Sequence, residues 1–198
     1  NKGTIDEKVL FSDFNLSVGE GDFISVVGSN GSGKTTVLNI ISGHIAPDGG
    51  EVIFHGKYIH DLNATEMKDF RRHVQMVFQD PYSSLNPRLS IFDLIAEPLT
   101  NQHEYQRDKA KLEARVKELM DIVGLSHRLI NAYPHELDGG RRQRVGIARA
   151  LSVNPDFIVL DEPVSALDVC IQAQIINLLI RLQKDFGLTY LFISHDLS

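Results

Sequence analysis

A single cysteine, Cys170, stands among the 198 residues. One thiol excludes an intramolecular disulfide and a cysteine-based zinc cluster, and it makes a reducing compartment the natural expectation. Long apolar runs are missing as well. None approaches the ~18 residues of a membrane-spanning helix, and no signal-peptide pattern opens the sequence, so any part a membrane plays is expected to come through a partner. Positive charge is in deficit, with 20 basic against 26 acidic side chains and a formal net charge of −6. That balance argues against a surface built to wrap a nucleic-acid backbone, although it leaves room for a local basic stripe. Repeats and low-complexity tracts are absent, and nothing suggests disorder. With 42% hydrophobic and 8% aromatic residues, the chain can bury a real core as one domain with room for a subdomain.

Periodicity divides the chain into three stretches. In FSDFNLSVGEGDFISVVG, residues 11 to 28, short apolar runs broken by Gly19 and Gly21 predict a hairpin that delivers a buried strand, Phe23 to Val27, into a glycine-rich turn. A helix over 35–43 stopped by Gly43, a strand in GGEVIFHG (49–56) and another at Val74 to Phe78 follow. From Asp80 to about Pro155 the pattern turns helical, with helices expected near 90–97, 104–122 and 141–153. Strand character resumes in DFIVLDEP, then a helix at about 169–185 and the strand TYLFIS. The expected architecture is α/β: a P-loop NTPase core with a mostly parallel sheet, an N-terminal antiparallel β portion and an inserted helical subdomain. The boundaries fall at 1–79, 80–153 and 154–198, and the stop at Ser198, just after His195, suggests a fragment.

GSNGSGKTT, residues 28 to 36, fits the pattern GxxxxGK[ST] between a strand and a helix. Here Gly28, Ser29, Asn30, Gly31, Ser32, Gly33, Lys34, Thr35 and Thr36 form a loop whose backbone N–H groups can turn inward around a β-phosphate. Lys34 neutralises β/γ charge, and Thr35 is positioned to ligate Mg²⁺. The plainer alternative is a glycine-rich turn carrying a solvated lysine. FIVLDE, residues 157 to 162, supplies the complement: a buried strand carries Asp161 to its carboxyl end, where it can serve Mg²⁺, and Glu162 beside it can polarise a water. An exposed Asp-Glu-Pro turn is the plainer reading of that pair. Because the guanine-specificity pattern [NT]KxD is missing, ATP is expected rather than GTP.

HELDGGRRQRVGIARAL, residues 135 to 151, sets Asp138 as the cap of an arginine-rich helix and leaves Gly139 and Gly140 to expose first-turn N–H groups to a close neighbour. Together these pieces resemble the nucleotide-binding domain of an ATP-binding cassette (ABC) transporter, over nearly the whole chain. The resemblance implies that Lys34 and Thr35 lie on the P-loop and that Gln79 in MVFQD lies on the Q-loop, with a metal or attacking-water contact. It makes Asp161 the magnesium aspartate and Glu162 the general base. SALD, 165 to 168, matches the loop that signals across a dimer, and His195 in FISHD matches the switch histidine that contacts the γ-phosphate. Asp138, Gly139, Gly140 and Arg141 occupy the signature segment, where the usual LSGGQ is replaced by LDGGR. FQDPYSSLNPRLSI, YPHELDGGRRQRVGIARAL and LDEPVSALDVCIQAQIINLL resemble the ATPases of oligopeptide, dipeptide and nickel importers, whereas NLSVGEGDFISVVGSNGSGKTT fits that subfamily less closely.

The implied function is an ATP-hydrolysing subunit that binds ATP and Mg²⁺, pairs head to tail with an identical or homologous ATPase, and attaches to transmembrane permease subunits at the cytoplasmic face of the cell membrane. Nucleic acid is not an expected partner. Two alternatives stay open: an ATPase of the same kind serving DNA repair or translation, and a nucleotide-binding scaffold whose altered signature no longer supports turnover. Single residues carry plain alternatives too. Gln79 and His195 can be ordinary strand-end residues, Asp168 can be only a helix cap, and Cys170 is a small helical residue. Arg141, Arg142, Arg144 and Arg149 can form a nucleic-acid stripe, but the acidic total favours ion pairs or a protein contact. Between Leu85 and Pro98, the aliphatic residues Leu85, Leu89, Ile91, Leu94 and Ile95 serve either the core or a groove for a membrane subunit's coupling helix. No aromatic residue near Ile5 presents itself for stacking on adenine, and Phe11 reads as core.

Overall fold

A computed structural model describes residues 11–29, 31–80 and 84–194. Its main sheet has four strands, β1 (Phe23–Val27), β4 (Val74–Val77), β5 (Phe157–Asp161) and β6 (Thr189–Ser194), in the order β1-β6-β5-β4 with every neighbouring pair parallel. A separate antiparallel pair joins β2 (Ile53–Phe54) to β3 (Lys57–Tyr58). The helices are α1 (Lys34–Ile41), α2 (Ala64–His73), α3 (Ile91–Thr100), α4 (His103–Gln106), α5 (Lys109–Ile122), α6 (Gly139–Leu151) and α7 (Val169–Phe186).

Side-chain alternation along the central strands divides the interior into two cores. On β5, Phe157 and Val159 join Leu38 of α1, Phe70 of α2, and Leu191 and Ile193 of β6. Ile158 and Leu160 face the other way, into a larger core with Ile91, Leu94 and Ile95 of α3, Leu119 and Met120 of α5, Val145 and Ile147 of α6, and Leu178 and Leu179 of α7. Both faces of β5 are therefore covered, which is why FIVL reads as a continuous apolar run rather than an alternating one. The strand reaches polar surroundings only at its carboxyl end, at Asp161.

Four sequence expectations need correction. β1 is not fully buried: it pairs only with β6 among the described strands, and Phe23 and Val27 are 37% and 55% exposed, because Ile24 and Val26 pack on the smaller core while the other face is covered only in part, by Phe23 against the rings of Tyr190 and Phe192. Residues 11 to 18 form no strand, so the hairpin is absent from the described residues. The strand foreseen over 49–56 shrinks to Ile53–Phe54, since Gly56 at φ 76° turns the chain straight back into β3. Phe11 is exposed, with its ring 5.4 Å from that of Phe14, and is not part of either core. By contrast, Leu85, Ile91, Leu94 and Ile95 are all buried, so the core claims the aliphatic face of that segment.

Most helix starts are capped by the residue the sequence offers. Asn63 and Ser90 form capping boxes with Glu66 and Asp93, and Asp108, Asp138 and Asp168 each accept a first-turn N–H. Among the described helices of eight residues or more, α1 alone begins without such a side chain; its cap position is Gly33, at φ 94°.

Within the larger core, the phenol of Tyr190 is fully buried, its ring edge-on to Phe23, and its hydroxyl has no partner among the described residues. Burial pushes its ionisation well above the ordinary tyrosine range. Above about pH 10 an unfolded chain releases this proton and the folded chain keeps it, so stability declines as pH rises through that window. Tyr190→Phe is expected to flatten that alkaline decline and to raise stability at neutral pH by about 1 kcal/mol, because an unsatisfied buried hydroxyl is removed. Urea unfolding at pH 7 and pH 11 measures both effects, and parallel pH profiles for the two proteins would contradict the assignment.

Candidate functional site

Between β1 and α1 the chain turns tightly. Gly31 and Gly33 adopt φ 78° and 94°, where any other residue would be strained, and a Cβ on Gly28 would lie 2.9 Å from the Ser32 hydroxyl. The Ser32 N–H bonds the Ser29 carbonyl at 3.2 Å, closing the loop. Lys34 folds back over it, its ammonium donating to the carbonyls of Gly28 and, at 2.9 Å, of Ser29. A cation is thus held beside the uncapped start of α1, which together make an anion site.

Facing this loop across a cleft of about 320 Å³ are the ends of β4 and β5. The cleft is lined by Gly31, Gly33, Lys34, Thr35, Thr36, Gln79, Asp161 and Glu162. Parallel register makes this meeting place: β4, β5 and β1 all point their carboxyl ends the same way, and the loops that follow converge there. Burial in the cleft, and then the adjacent Glu162 carboxylate, hold the Asp161 carboxyl above the usual carboxylate range, while the Lys34 ammonium works in the opposite direction. Asp161 is therefore a carboxylate short of positive charge. A divalent cation answers that need, and the Thr35 hydroxyl lining the same cleft adds an oxygen donor. Among the described residues no group of three or more His, Cys, Asp or Glu side chains is placed to hold a metal alone. One carboxylate and one hydroxyl suit Mg²⁺, which usually completes its shell with phosphate and water.

Glu162 sits at φ 44°, in the left-handed region that side chains rarely adopt. Three hydrogen bonds fix it there: its N–H donates to the Ile193 carbonyl at 3.1 Å, and its own carbonyl accepts the Ser165 N–H at 3.2 Å and the Ser165 hydroxyl at 3.1 Å. Its carboxylate accepts the Gln79 side-chain amide at 2.8 Å, and that amide also lies 3.4 Å from the Ser165 hydroxyl. Gln79 and Glu162, 83 residues apart, are thereby joined in one network.

The sequence matches the ABC transporter family over residues 11–165, a span that holds every residue lining the cleft and Ser165. The chain belongs to the ABC transporter family. Among curated ABC relatives it is 48% identical over its whole length to the oligopeptide transport ATP-binding protein OppF of Streptococcus mutans, of which it covers 64%. It is 50% identical over 94% of its length to OppF of Bacillus subtilis, covering 61% of that protein. The chain thus spans a little under two thirds of the length of these relatives. The solved dimeric ABC cassette MJ0796, in a post-hydrolysis state bound to ADP and Pi, superimposes with a TM-score of 0.83 at 35% identity, covering 95% of this chain and 81% of that one.

Not every expected ABC site residue meets in the cleft. Asn30 and His195 lie outside the described residues. Asp138, Gly139, Gly140 and Arg141 are absent from its lining, so within one chain the signature segment and the phosphate loop are separate. Asp138 does cap α6: its Oδ1 accepts the Arg141 N–H at 2.7 Å, while its Oδ2 lies 3.4 Å from the Arg141 guanidinium. The other arginines of the proposed stripe turn toward their own chain. Arg142 donates to the Pro134 carbonyl, Arg144 to those of Val123 and, at 3.4 Å, the Gln174 side chain, and Arg149 pairs with Glu97 at 3.0 Å. Asp168 caps α7 through the Ile171 N–H at 3.0 Å. Sequence reasoning named Ser165 only as part of SALD and missed its grip on Glu162; a hydroxyl three residues after the acid, just past Pro163, was the available signal.

The charges around Asp161 can be read directly. Lys34→Ala removes a cation that lowers its ionisation and should move the Asp161 midpoint up; Glu162→Gln removes a like charge and should move it down. Carbon-13 carboxyl NMR titration of the two variants separates the contributions. Shifts of the same sign would mean that the three groups do not share one cleft.

Proposed function

We propose that this chain is the ATP-hydrolysing subunit of an ABC importer for peptides or a related small solute. The observation that carries the reading is the pairing, in one cleft, of an uncapped helix start and Lys34 with Asp161 and Glu162 at the strand ends. The first-turn amides of α1 take the β-phosphate, and Lys34 exchanges its loop carbonyls for β/γ oxygens. Thr35 and Asp161 would hold Mg²⁺, with Gln79 beside them; when bound, that ion supplies positive charge to the phosphate oxygens. Glu162 orients a water in line with the γ-phosphorus and takes its proton as the new P–O bond forms and the bond to ADP breaks. His195 contacts the γ-phosphate.

Two chains work head to tail, so that Asp138, Gly139, Gly140 and Arg141 of one close over the γ-phosphate held by the other. Hydrolysis reopens the pair and drives permease subunits, which hold the ATPase at the cytoplasmic face of the membrane. The solute class follows from the relatives named for oligopeptide and dipeptide transport. The chain's organisation into 1–79, 80–153 and 154–198 belongs to the same proposal.

Glu162→Gln should keep Mg-ATP affinity and lower phosphate release at least about a hundredfold, since the amide keeps the shape without the base. Calorimetric titration and a phosphate-release assay on the full-length protein with its partner decide this. Turnover within a few fold of wild type would remove Glu162 as base, whereas a wild type that binds ATP without any turnover would be a scaffold.

The Asp138–Arg141 pair is a second point of test. Both side chains are more than half exposed, so the pair contributes no more than about 1 kcal/mol to folding, and changing it is expected to show in closure instead. Arg141→Gln should weaken ATP-driven dimerisation by leaving an unpaired carboxylate facing a triphosphate. Adding Asp138→Ser, which retains a capping oxygen, should restore much of the loss. Additive losses in a double-mutant cycle would reduce Asp138 to a cap.

A further inference from the structure

An alanine is the better helix former by about 1 kcal/mol per position, and neither Gly139 nor Gly140 has the positive φ that would call for glycine. Two glycines opening α6 therefore require another cause. The structure shows one inside the same chain. A Cβ on Gly140 would stand 2.5 Å from Cγ2 of Ile171, and one on Gly139 would stand 2.8 Å from Cδ2 of Leu167. The two contacts differ in stiffness. Cδ2 ends a side chain that can swing aside, whereas Cγ2 of Ile171 is one bond from a branched Cβ whose rotamer a helix restricts. Ile171 is held further by its N–H bond to the Asp168 cap, and Leu167 and Ile171 both pack against the larger core. The capped starts of α6 and α7 thus meet with no side chain of α6 between them.

We propose that Ile171, supported by Leu167, is a positioning residue for the closing of the two-chain ATP site: it is the seat that sets where the first-turn amides of α6 stand. This rests on the reading above, in which those amides close over a partner's γ-phosphate. Carbon atoms pack at about 3.5 to 4.0 Å, so a methyl at 140 has to displace the α6 start from α7 by about 1 Å. A displacement of that size at a reacting site can cost about a hundredfold. The seat, rather than the ligand alone, explains why 140 is glycine.

The test is a double-mutant cycle in the full-length protein with Gly140→Ala, Ile171→Leu and both together, since leucine keeps the volume of isoleucine but has no methyl on Cβ. Thermal midpoint and ATP-driven association are both read. Gly140→Ala alone should lower the midpoint and weaken association about tenfold or more; Ile171→Leu alone should be mild; the double variant should recover most of both losses. A Gly140→Ala protein that matches wild type in both readouts overturns the proposal. So does a double variant that regains its midpoint but not its association, because glycine would then answer to the ligand. Gly140→Ala with Ile171→Ala, which clears the space completely, guards against leucine reaching the same spot. If wild type itself does not associate with ATP, the functional reading fails, and the thermal cycle still decides the seat: non-additive midpoints support it and additive ones overturn it.

Discussion

A helix that begins without a side chain on its first amides has to find its acceptor elsewhere, and α1 begins that way. Gly33 at its cap position provides a turn but no side-chain oxygen, whereas the other long helices among the described residues are capped by Asn, Ser or Asp. The rest of the cleft follows from this. The loop before it must be glycine-rich to reverse so tightly, Lys34 rests against its carbonyls and adds its charge to the positive end of the helix, and an anion is what such a place favours. Opposite, parallel β4 and β5 bring Gln79, Asp161 and Glu162 to their carboxyl ends, where an anion's counter-charge can be assembled. The two halves are complementary in charge, and neither is comfortable alone.

The parts that were legible in the sequence are those whose causes are local. GSNGSGKTT specifies its own turn, FIVLDE its own buried strand and polar end, and Asp138 and Asp168 the helices that begin after them. What escaped depends on neighbours far along the chain. FISVV looks like a strand buried on both faces, but burial is decided by what flanks β1, and one of its faces is only partly covered, with Phe23 and Val27 left exposed. The apolar residues from Leu85 to Ile95 fit a groove as well as a core until α5 and α6 are placed against them. The hydroxyl of Tyr190 left no trace in TYLFIS, because alternation says which way a ring points and not whether its oxygen finds a partner.

Gly139 and Gly140 illustrate the same limit more sharply. Read along the chain, two glycines after a capping aspartate ask for a ligand, because nothing nearby in sequence crowds them. In the fold, Leu167 and Ile171 crowd them from within. A small residue can be required on one side by packing and on the other by a visitor, and only three-dimensional placement distinguishes the two demands.

Glu162 shows a different tension. Its left-handed backbone, φ 44°, carries an energetic penalty of about 1 to 2 kcal/mol that glycine would avoid, and the Ser165 and Ile193 hydrogen bonds keep the residue in place despite it. With Glu162 as the proposed base, heat resistance and turnover select position 162 in opposite directions. A population of variants enriched only for survival at high temperature would drift there toward glycine or asparagine, and would grow hardier as it gave up the carboxylate on which the proposed hydrolysis rests.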